Sequence, residues 1–213
     1  MSGLLVAIEG GDAVGKATQS RLLASRLGGE VVSFPRYDTP VGRIIKLMLR
    51  EELAPHMALP SLSLAEAGKI ILQVLMTADK LDGSVGILEA LGRGEHRVLD
   101  RWWPSALVYG SADGLDQLWL RRLGSMLPRP QLSILVDVPR DVAVARRPVP
   151  EDRYEADVSL RGAVRARYLD LWEAMSVLET GWVVVSGEGS VEEVAEKIWS
   201  HVSPLVDGRR FLP

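Results

Sequence analysis

The sequence has 213 residues, of which 47% are hydrophobic and 25% are charged, a composition typical of a folded globular chain that excludes a disordered one. At roughly 100–200 residues per domain, this length gives one large domain or two small ones, with enough chain to bury a substantial core. The formal net charge of −3 argues against a non-specific nucleic-acid coat, and the absence of cysteine excludes disulfides, thiolate nucleophiles and Cys-based zinc sites.

Short apolar runs alternate with helical patterns along the chain. In chain order, the predicted strands cover residues 4–8, 31–34, 97–100, 132–138 and 182–186. The predicted helices cover residues 16–27, 41–50, 63–91, 104–127 with a glycine-rich break at 110–114, 140–147, 158–178 and 191–202. The pattern over 63–91 fits one helix or two that break near Gly83, and the tail 203–213 is left unassigned.

Strands that are nearly all apolar and alternate with helices predict a parallel sheet covered on both faces. We therefore expect an α/β fold, a doubly wound five-stranded parallel sheet, in a single domain over residues 1–213. Ligands bind such sheets at the carboxyl ends of the strands. The residues that follow the strands are thus the candidates for a functional site.

The segment from Gly10 to Lys16 follows the first strand, precedes a helix and fits the pattern G-x-x-x-x-G-K. Glycines let backbone N–H groups turn inward around phosphate oxygens, and the helix N-terminus adds a favourable dipole. The Lys16 ammonium supplies a mobile charge for β- and γ-phosphates. The alternative is a glycine-rich turn without a ligand. We predict a P-loop NTPase fold that binds ATP through residues 10–18, namely Gly10, Gly11, Asp12, Ala13, Val14, Gly15, Lys16, Ala17 and Thr18.

One position departs from this pattern. A Ser or Thr that binds Mg²⁺ is expected directly after the lysine, but Ala17 stands there and Thr18 follows it. Either Thr18 contributes indirectly, or the metal is held through water and carboxylates. Asp100, at the end of the third predicted strand, lies at the same sheet edge and is the expected Mg²⁺ carboxylate. Its alternative role is to cap the segment that follows.

Four motifs occur in order within roughly residues 4–200. They are Glu9-Gly10-x-Asp12-x-x-Gly15-Lys16-x-Thr18-Gln19, Phe34-Pro35-Arg36-Tyr37, Asp100-Arg101-x-x-x-Ser105-x-x-x-Tyr109 and Asp152-Arg153-Tyr154-Glu155. In these motifs the chain resembles the thymidylate kinases, a family of nucleoside monophosphate kinases. The resemblance implies phosphoryl transfer from ATP to dTMP, with Mg²⁺ as cofactor. Because the acceptor phosphate is already ionised at pH 7, such a reaction needs positioning and charge neutralisation rather than a general base.

The resemblance also implies roles for residues beyond the phosphate loop. Arg101 would clamp the donor and acceptor phosphates, Arg36 would bind the acceptor phosphate, and Asp12 would meet the 3′-hydroxyl of the acceptor sugar. The remaining matched positions around the base and sugar are Phe34, Tyr37, Ser105, Tyr109 and Tyr168. The alternatives are arginines that are merely exposed or paired with acids, an Asp that stabilises a turn, and aromatic rings that only fill the core.

A lid is expected over residues 146–157. The phosphate loop has no arginine between Gly10 and Lys16, so the resemblance assigns contact with the transferred phosphate to lid arginines. The candidates are Arg146, Arg147 and Arg153, and the alternative is a solvated charged loop. The loop 186–189, after the last strand, either passes beside adenine or is a plain turn.

Three positions depart from the family on the nucleobase side. Met76 stands where members usually carry a Phe that stacks on thymine, and Lys80 where they carry an Arg that binds its O4. Methionine is adaptable and polarizable, and lysine still donates to a carbonyl oxygen but lacks the planar fork. Gly110 stands where a Gln is common. We infer that phosphoryl transfer is preserved, and that base selection is either unchanged or altered.

Three functions therefore remain open. The first is a dTMP kinase, the second a kinase of another or modified deoxynucleoside monophosphate, and the third a nucleotide-binding module without catalysis. Ala17 favours the third, whereas Lys16 and Arg101 oppose it because binding alone needs no cations at the transferred group. The expected partners are small nucleotides and a second copy of the chain, without nucleic acid or membrane. The N-terminus lacks the basic segment of a signal peptide, so we expect a cytoplasmic protein.

Overall fold

The protein is represented by a computed structural model that describes residues 3–52, 64–146, 154, 158–206 and 208. Five strands form one sheet in the order β2-β3-β1-β4-β5, and every neighbouring pair is parallel. The strands are β1 Leu5–Glu9, β2 Glu30–Ser33, β3 Arg97–Asp100, β4 Leu132–Asp137 and β5 Trp182–Ser186. The predicted doubly wound α/β fold is confirmed, and each predicted strand lies within one residue of an observed one at either end.

Eight helices connect or flank these strands in the described part of the chain. They are α1 Lys16–Leu27, α2 Pro40–Leu49, α3 Leu64–Gly92, α4 Trp103–Ala112, α5 Gln117–Gly124, α6 Arg140–Arg146, α7 Val158–Leu178 and α8 Val191–Val206. The helical break that was predicted at 110–114 lies at 113–116 instead, between α4 and α5. The last helix continues to Val206, past the predicted end at 202, and includes Pro204 in its final turn.

Helix α3 is continuous through Gly83, so the alternative of two helices is wrong. A Cβ atom at Gly83 would lie 2.9 Å from the ring of Phe34. The glycine therefore serves the close approach of α3 to the end of β2 and does not interrupt the helix. This contact brings one face of α3 against the segment that follows β2.

The sheet has an apolar core on each face, as the period of two along its strands requires. In β1, Leu5 and Ala7 belong to one cluster, and Val6 and Ile8 to the other. The first cluster packs against α2, α3, α4, α5 and α7, and the second against α1 and α8. The central strand is thus buried on both faces, and its carboxyl end opens between helices of both layers.

The order of the strands places this opening. Since β1 lies between β3 and β4, the chain leaves β1 next to the carboxyl ends of both neighbours. Crevices at such points are the usual ligand sites of open α/β sheets. Within the described residues, no helix combines the length and the apolar character that crossing a membrane requires.

Gly42, the third residue of α2, packs closely against the segment that precedes this helix. A Cβ atom at Gly42 would lie 1.8 Å from the carbonyl oxygen of Arg36, which cannot be relieved without moving backbone. We expect Gly42→Ala to lower the free energy of unfolding by about 1–3 kcal/mol. Urea denaturation measures this change.

Gly162→Ala is the matched control, because Gly162 lies in α7 with open space around its Cβ position. There the gain in helix propensity should raise the free energy of unfolding, by up to about 1 kcal/mol. Equal effects of the two substitutions would contradict the close packing at Gly42.

Candidate active site

The phosphate loop has a backbone that glycine alone accommodates at two points. Gly10 has φ +144°, and a Cβ atom there would lie 2.5 Å from the carbonyl oxygen of Val136. Gly15, directly before α1, has φ +99°. The ammonium of Lys16, the first residue of α1, donates to the carbonyl oxygen of Gly11 and folds back over the loop. The predicted strand–loop–helix arrangement with its lysine is therefore present.

The electrostatic environment of Lys16 is unusual for a lysine. Its side chain is buried, and burial together with repulsion by Arg101 lowers the pKa of Lys16 to about 8. The carboxylates of Asp12, Asp100 and Glu9 oppose this shift. An anion bound at the loop would favour the charged form of Lys16, since an opposite charge at close range raises the pKa of a lysine.

Glu9, the last residue of β1, is a fully buried carboxylate with three donors. It accepts from the backbone N–H of Trp102 at 2.5 Å, from the hydroxyl of Ser105 at 2.6 Å and from the hydroxyl of Tyr168 at 3.0 Å. These donors belong to the start of α4, to its first turn and to α7. A buried carboxylate needs such partners, so Glu9 ties the end of β1 to the two helices that border the cleft.

Arg101 lies directly over the phosphate loop. Its backbone has φ +68°, an uncommon conformation for a residue with a side chain. One guanidinium nitrogen donates to the carbonyl oxygen of Gly10 at 3.2 Å and approaches the hydroxyl of Ser105 at 3.4 Å, while the other donates to Asp12. The second oxygen of Asp12 accepts from the hydroxyl of Tyr109 at 2.9 Å. Arg101, Asp12 and Lys16 therefore form one charged cluster at the carboxyl ends of β1 and β3.

A wide cleft opens from this cluster toward α3. On the side away from the loop it is lined by Phe34, Tyr37, Met76 and Lys80, four of the predicted substrate positions. Phe34 is buried and packs on Trp102 at a ring distance of 5.0 Å, whereas Tyr37 is exposed beside Lys46. The structure thus brings the predicted base positions to the same cleft as the phosphate loop.

Arg36 is placed differently from these residues. Its guanidinium donates to the carboxylate of Asp79 at 3.0 Å and to that of Asp82 at 2.5 Å, both on α3. The backbone N–H of Arg36 also donates to Asp79 at 2.9 Å. Asp79 is fully buried and Asp82 is exposed. In this state Arg36 is an ion-pair partner of α3 at the border of the cleft, not one of its lining residues.

Lys80 is a buried lysine with few partners among the described residues. Its ammonium donates to the carbonyl oxygen of Met76 at 3.3 Å and lies 5.9 Å from the centre of the Phe34 ring. Burial lowers the pKa of Lys80 to about 8, although Glu9 and Asp79 act in the opposite direction. A buried ammonium that lines a cleft is suited to donate to a polar atom of a ligand.

The three remaining predicted substrate residues form the wall beside α4. Ser105 and Tyr109 line the cleft, and each uses its hydroxyl within the wall, on Glu9 and Asp12 respectively. Tyr168 lies behind Ser105, with the two hydroxyl oxygens 2.8 Å apart, and is 1% exposed. Tyr168 therefore supports the wall from the core and does not line the cleft.

Two residues of the predicted lid are described, Arg146 and Tyr154. Arg146 ends α6, and its guanidinium donates to the carbonyl oxygen of Val14 at 3.3 Å and to that of Gly187 at 2.9 Å. It thereby bridges the phosphate loop and the loop after β5 and lines the cleft. The predictions for Arg147 and Arg153 lie outside the described residues.

The site can be tested for its fit to Mg²⁺. In the described ranges no group of three or more His, Cys, Asp and Glu side chains could enclose a metal ion. Asp100 lines the cleft at the end of β3, close enough to Lys16 to influence its pKa, and Thr18 lines the cleft from α1. One carboxylate beside a phosphate site fits Mg²⁺, which keeps several waters and takes its other ligands from phosphates.

Several site residues were absent from the candidates drawn from the sequence. Glu9 lies in the phosphate-loop motif, but the motif gives it no chemical role. Arg21 lines the cleft from α1, more than one turn after the phosphate loop. Tyr154 lines the cleft and donates to Asp113 at 2.6 Å, and Gln73 lines it from α3. Gln73 could have been found, because it lies one turn before Met76 on the same face of the helix.

Comparisons with known proteins point to one family. The family model described as thymidylate kinase matches residues 8–198. A probable thymidylate kinase of Pyrococcus abyssi is 32% identical over 208 residues, which cover 93% of this chain and 95% of that protein. A thymidylate kinase of a Synechococcus species is 33% identical over 207 residues, with coverages of 94% and 95%. A solved thymidylate kinase from Candida albicans has the same fold, with a TM-score of 0.78 at 22% identity over 97% of this chain and 93% of that one.

The lowered pKa of Lys80 predicts a pH-dependent stability. In the unfolded chain this ammonium keeps its proton up to pH 10.5, whereas in the folded protein it loses it near pH 8. The free energy of unfolding should therefore increase as the pH rises from about 8 to about 10, because Lys80 is then neutral in the folded protein but still charged in the unfolded chain. Replacement by Met removes the cost of the buried charge, so Lys80→Met should be more stable at pH 7 by on the order of 2–3 kcal/mol.

Urea denaturation of both proteins at several pH values tests this prediction. The advantage of Lys80→Met should shrink between pH 8 and 10. Lys197→Met, a change at an exposed lysine of α8, should show no such trend. An advantage that stays constant with pH would contradict the lowered pKa of Lys80.

Proposed function

Because this chain belongs to the thymidylate kinase family, we propose that it transfers the γ-phosphoryl group of ATP to dTMP, giving ADP and dTDP. The observation that carries the proposal is the position of Arg101. Its guanidinium contacts the phosphate loop at Gly10 and Asp12 and the opposite wall at Ser105. A cation there faces both nucleotides at the point where their phosphates must meet.

The reaction needs charge neutralisation rather than proton removal. A phosphate monoester is almost fully ionised at pH 7, since its second pKa is about 6. One of its oxygens attacks the γ-phosphorus in line, and the bond from that phosphorus to the β-γ bridging oxygen breaks. Lys16 neutralises the β- and γ-phosphates on the loop, and Arg101 neutralises the charge shared by donor and acceptor. Arg146 is the described lid residue placed to reach the transferred group, with Arg147 and Arg153 as further candidates.

The acceptor nucleotide fits the part of the cleft beside α3. We assign Arg36 to its phosphate, in exchange for part of the ion pair with Asp79 and Asp82. Asp12 meets the sugar 3′-hydroxyl, while Tyr109 holds Asp12 in place. The base takes the space lined by Phe34, Tyr37, Met76 and Lys80. In this placement Met76 covers the base and Lys80 donates to its O4, and Ser105 and Tyr168 support the wall behind it.

We also propose Mg²⁺ as the cofactor, held by Asp100 through water, with Thr18 nearby. When bound, the ion supplies positive charge to the phosphates of ATP.

The same function implies an organisation and a location for the chain. The whole chain is one kinase domain with a lid over 146–157, its partners are nucleotides rather than nucleic acid or membrane, and it works in the cytoplasm, where ATP and deoxynucleotides are found.

A homodimer is supported by the outer face of α3. Its exposed residues repeat at alternating spacings of three and four, the pattern of a helix that packs against another helix. They are Ile71, Val74, Ala78, Leu81, Val85 and Leu88. This outer stripe covers about five turns and lies opposite the face that borders the cleft. A stripe of this length on one helix fits a second copy of the same helix.

The first test of function is a panel of deoxynucleoside monophosphates with ATP and Mg²⁺, scored by kcat/KM. We expect dTMP to give the highest value. A higher value for another deoxynucleoside monophosphate would favour altered base selection through Met76 and Lys80. ATP binding without turnover of any monophosphate would favour a module without catalysis.

Arg101→Ala should lower kcat at least about 100-fold, because it removes charge that is needed chiefly in the transition state. ATP binding, measured by calorimetry, should survive, since Lys16 and the loop backbone remain. Arg101→Lys keeps the charge but not the fork, so its loss should be intermediate. A kcat of Arg101→Ala equal to that of the wild type would remove Arg101 from the mechanism.

The double substitution Val85→Glu, Leu88→Glu should convert the protein from dimer to monomer in sedimentation experiments at micromolar concentration. Two carboxylates in the outer stripe would oppose the burial of its apolar residues. Val177→Glu, at an exposed apolar residue of α7, is the control and should leave the dimer intact. A wild-type monomer, or a dimer that survives the double substitution, would refute this interface.

A further inference from the structure

Gln73 is a buried polar residue whose role the function above leaves open. It lies on α3, is 2% exposed and lines the cleft. Its side-chain oxygen is buried and has no hydrogen-bond partner in the described part of the chain. Buried polar atoms of native proteins are nearly always paired, and one left unpaired destabilises the fold. An unpaired amide oxygen at the wall of a binding cleft therefore points to a partner supplied by the ligand.

The position of Gln73 on α3 directs it to the nucleobase. Gln73, Met76 and Lys80 follow one another at helical spacings of three and four, so they share the face that borders the cleft. Met76 and Lys80 are the residues proposed to cover and bind the base. Gln73 extends this row by one turn, toward the wall formed by α4.

Among the described residues, the opposite wall makes room for the amide of Gln73 and offers its oxygen no partner. A Cβ atom at Gly110 would lie 3.3 Å from the amide carbon of Gln73 and 2.8 Å from a methyl group of Leu120, so a side chain at 110 would crowd the amide. Ala106, which lines the cleft on α4, has no polar side-chain atom. The hydroxyl of Tyr109, which lines the same cleft, is already bonded to Asp12.

We propose that Gln73 is a base-recognising residue that hydrogen-bonds the imide edge of the acceptor's pyrimidine. The edge presents one N–H donor, N3, between two carbonyl acceptors. A carboxamide presents one acceptor and one donor side by side, so it accepts from N3–H and donates to a neighbouring carbonyl oxygen. Lys80 donates to O4 from the same helix. This inference rests on the proposed function, because it takes a nucleotide of this class as the acceptor.

The test is Gln73→Leu, which keeps the size of the side chain and removes its amide. KM for dTMP should rise about tenfold while kcat changes less than about twofold, because the contact holds the base in ground and transition states alike. The second readout uses dTMP methylated at N3. The wild type should discriminate against this analogue, and Gln73→Leu should lose about tenfold of that discrimination.

Thermal unfolding separates recognition from a structural role. Without ligand, Gln73→Leu should melt at the wild-type temperature or above it, since the substitution removes a buried unpaired oxygen. Gln117→Leu, the same change at an exposed glutamine of α5, should leave all three readouts at wild-type values. An unchanged KM for dTMP, or a lower melting temperature with equal losses for ATP and dTMP, would overturn the role of Gln73 alone. A wild type that phosphorylates no dTMP would overturn the proposed function together with this inference.

Discussion

The buried carboxylate of Glu9 is the constraint on which the cleft depends. A charge in the centre of a parallel sheet is costly unless donors surround it. Here the donors come from Trp102, Ser105 and Tyr168, so satisfying one charge fixes the start of α4 and the position of α7. Arg101 stands between the end of β3 and this bonded backbone, which holds it in its left-handed conformation. The geometry around Arg101 is thus set from below by a residue that does not itself line the cleft.

Above this support, the cleft places positive charge on buried side chains. Lys16 and Lys80 are buried and have lowered pKa values, and Arg101 contributes to the lowering in both cases. The three cations repel one another until anions arrive. Such a preorganised set of charges gains more from a bound phosphate than the same groups would in water, because water no longer screens them. The free protein bears the cost of this arrangement as lost stability.

The fold and the phosphate loop follow from local sequence patterns, whereas the rest of the site depends on long-range contacts. Apolar strands, glycine stops and the loop around Lys16 predict the sheet and the phosphate cradle, because these signals lie within a few residues. Gly83 suggests a helix break that does not occur. Glycine is needed there because the ring of Phe34, about fifty residues away along the chain, leaves no room for a side chain. The bonds of Glu9 span 93 to 159 residues, and no periodicity reports them. The burial of Tyr168 has the same origin.

The ion pair of Arg36 with Asp79 and Asp82 has a consequence for selectivity among anions. A guanidinium that already has two carboxylate partners gains little from free inorganic phosphate, because the exchange replaces one anion by another. A nucleotide offsets the exchange through the contacts of its base and sugar. Under the proposed role of Arg36 at the acceptor phosphate, this internal competition for one cation disfavours free inorganic phosphate relative to a nucleotide.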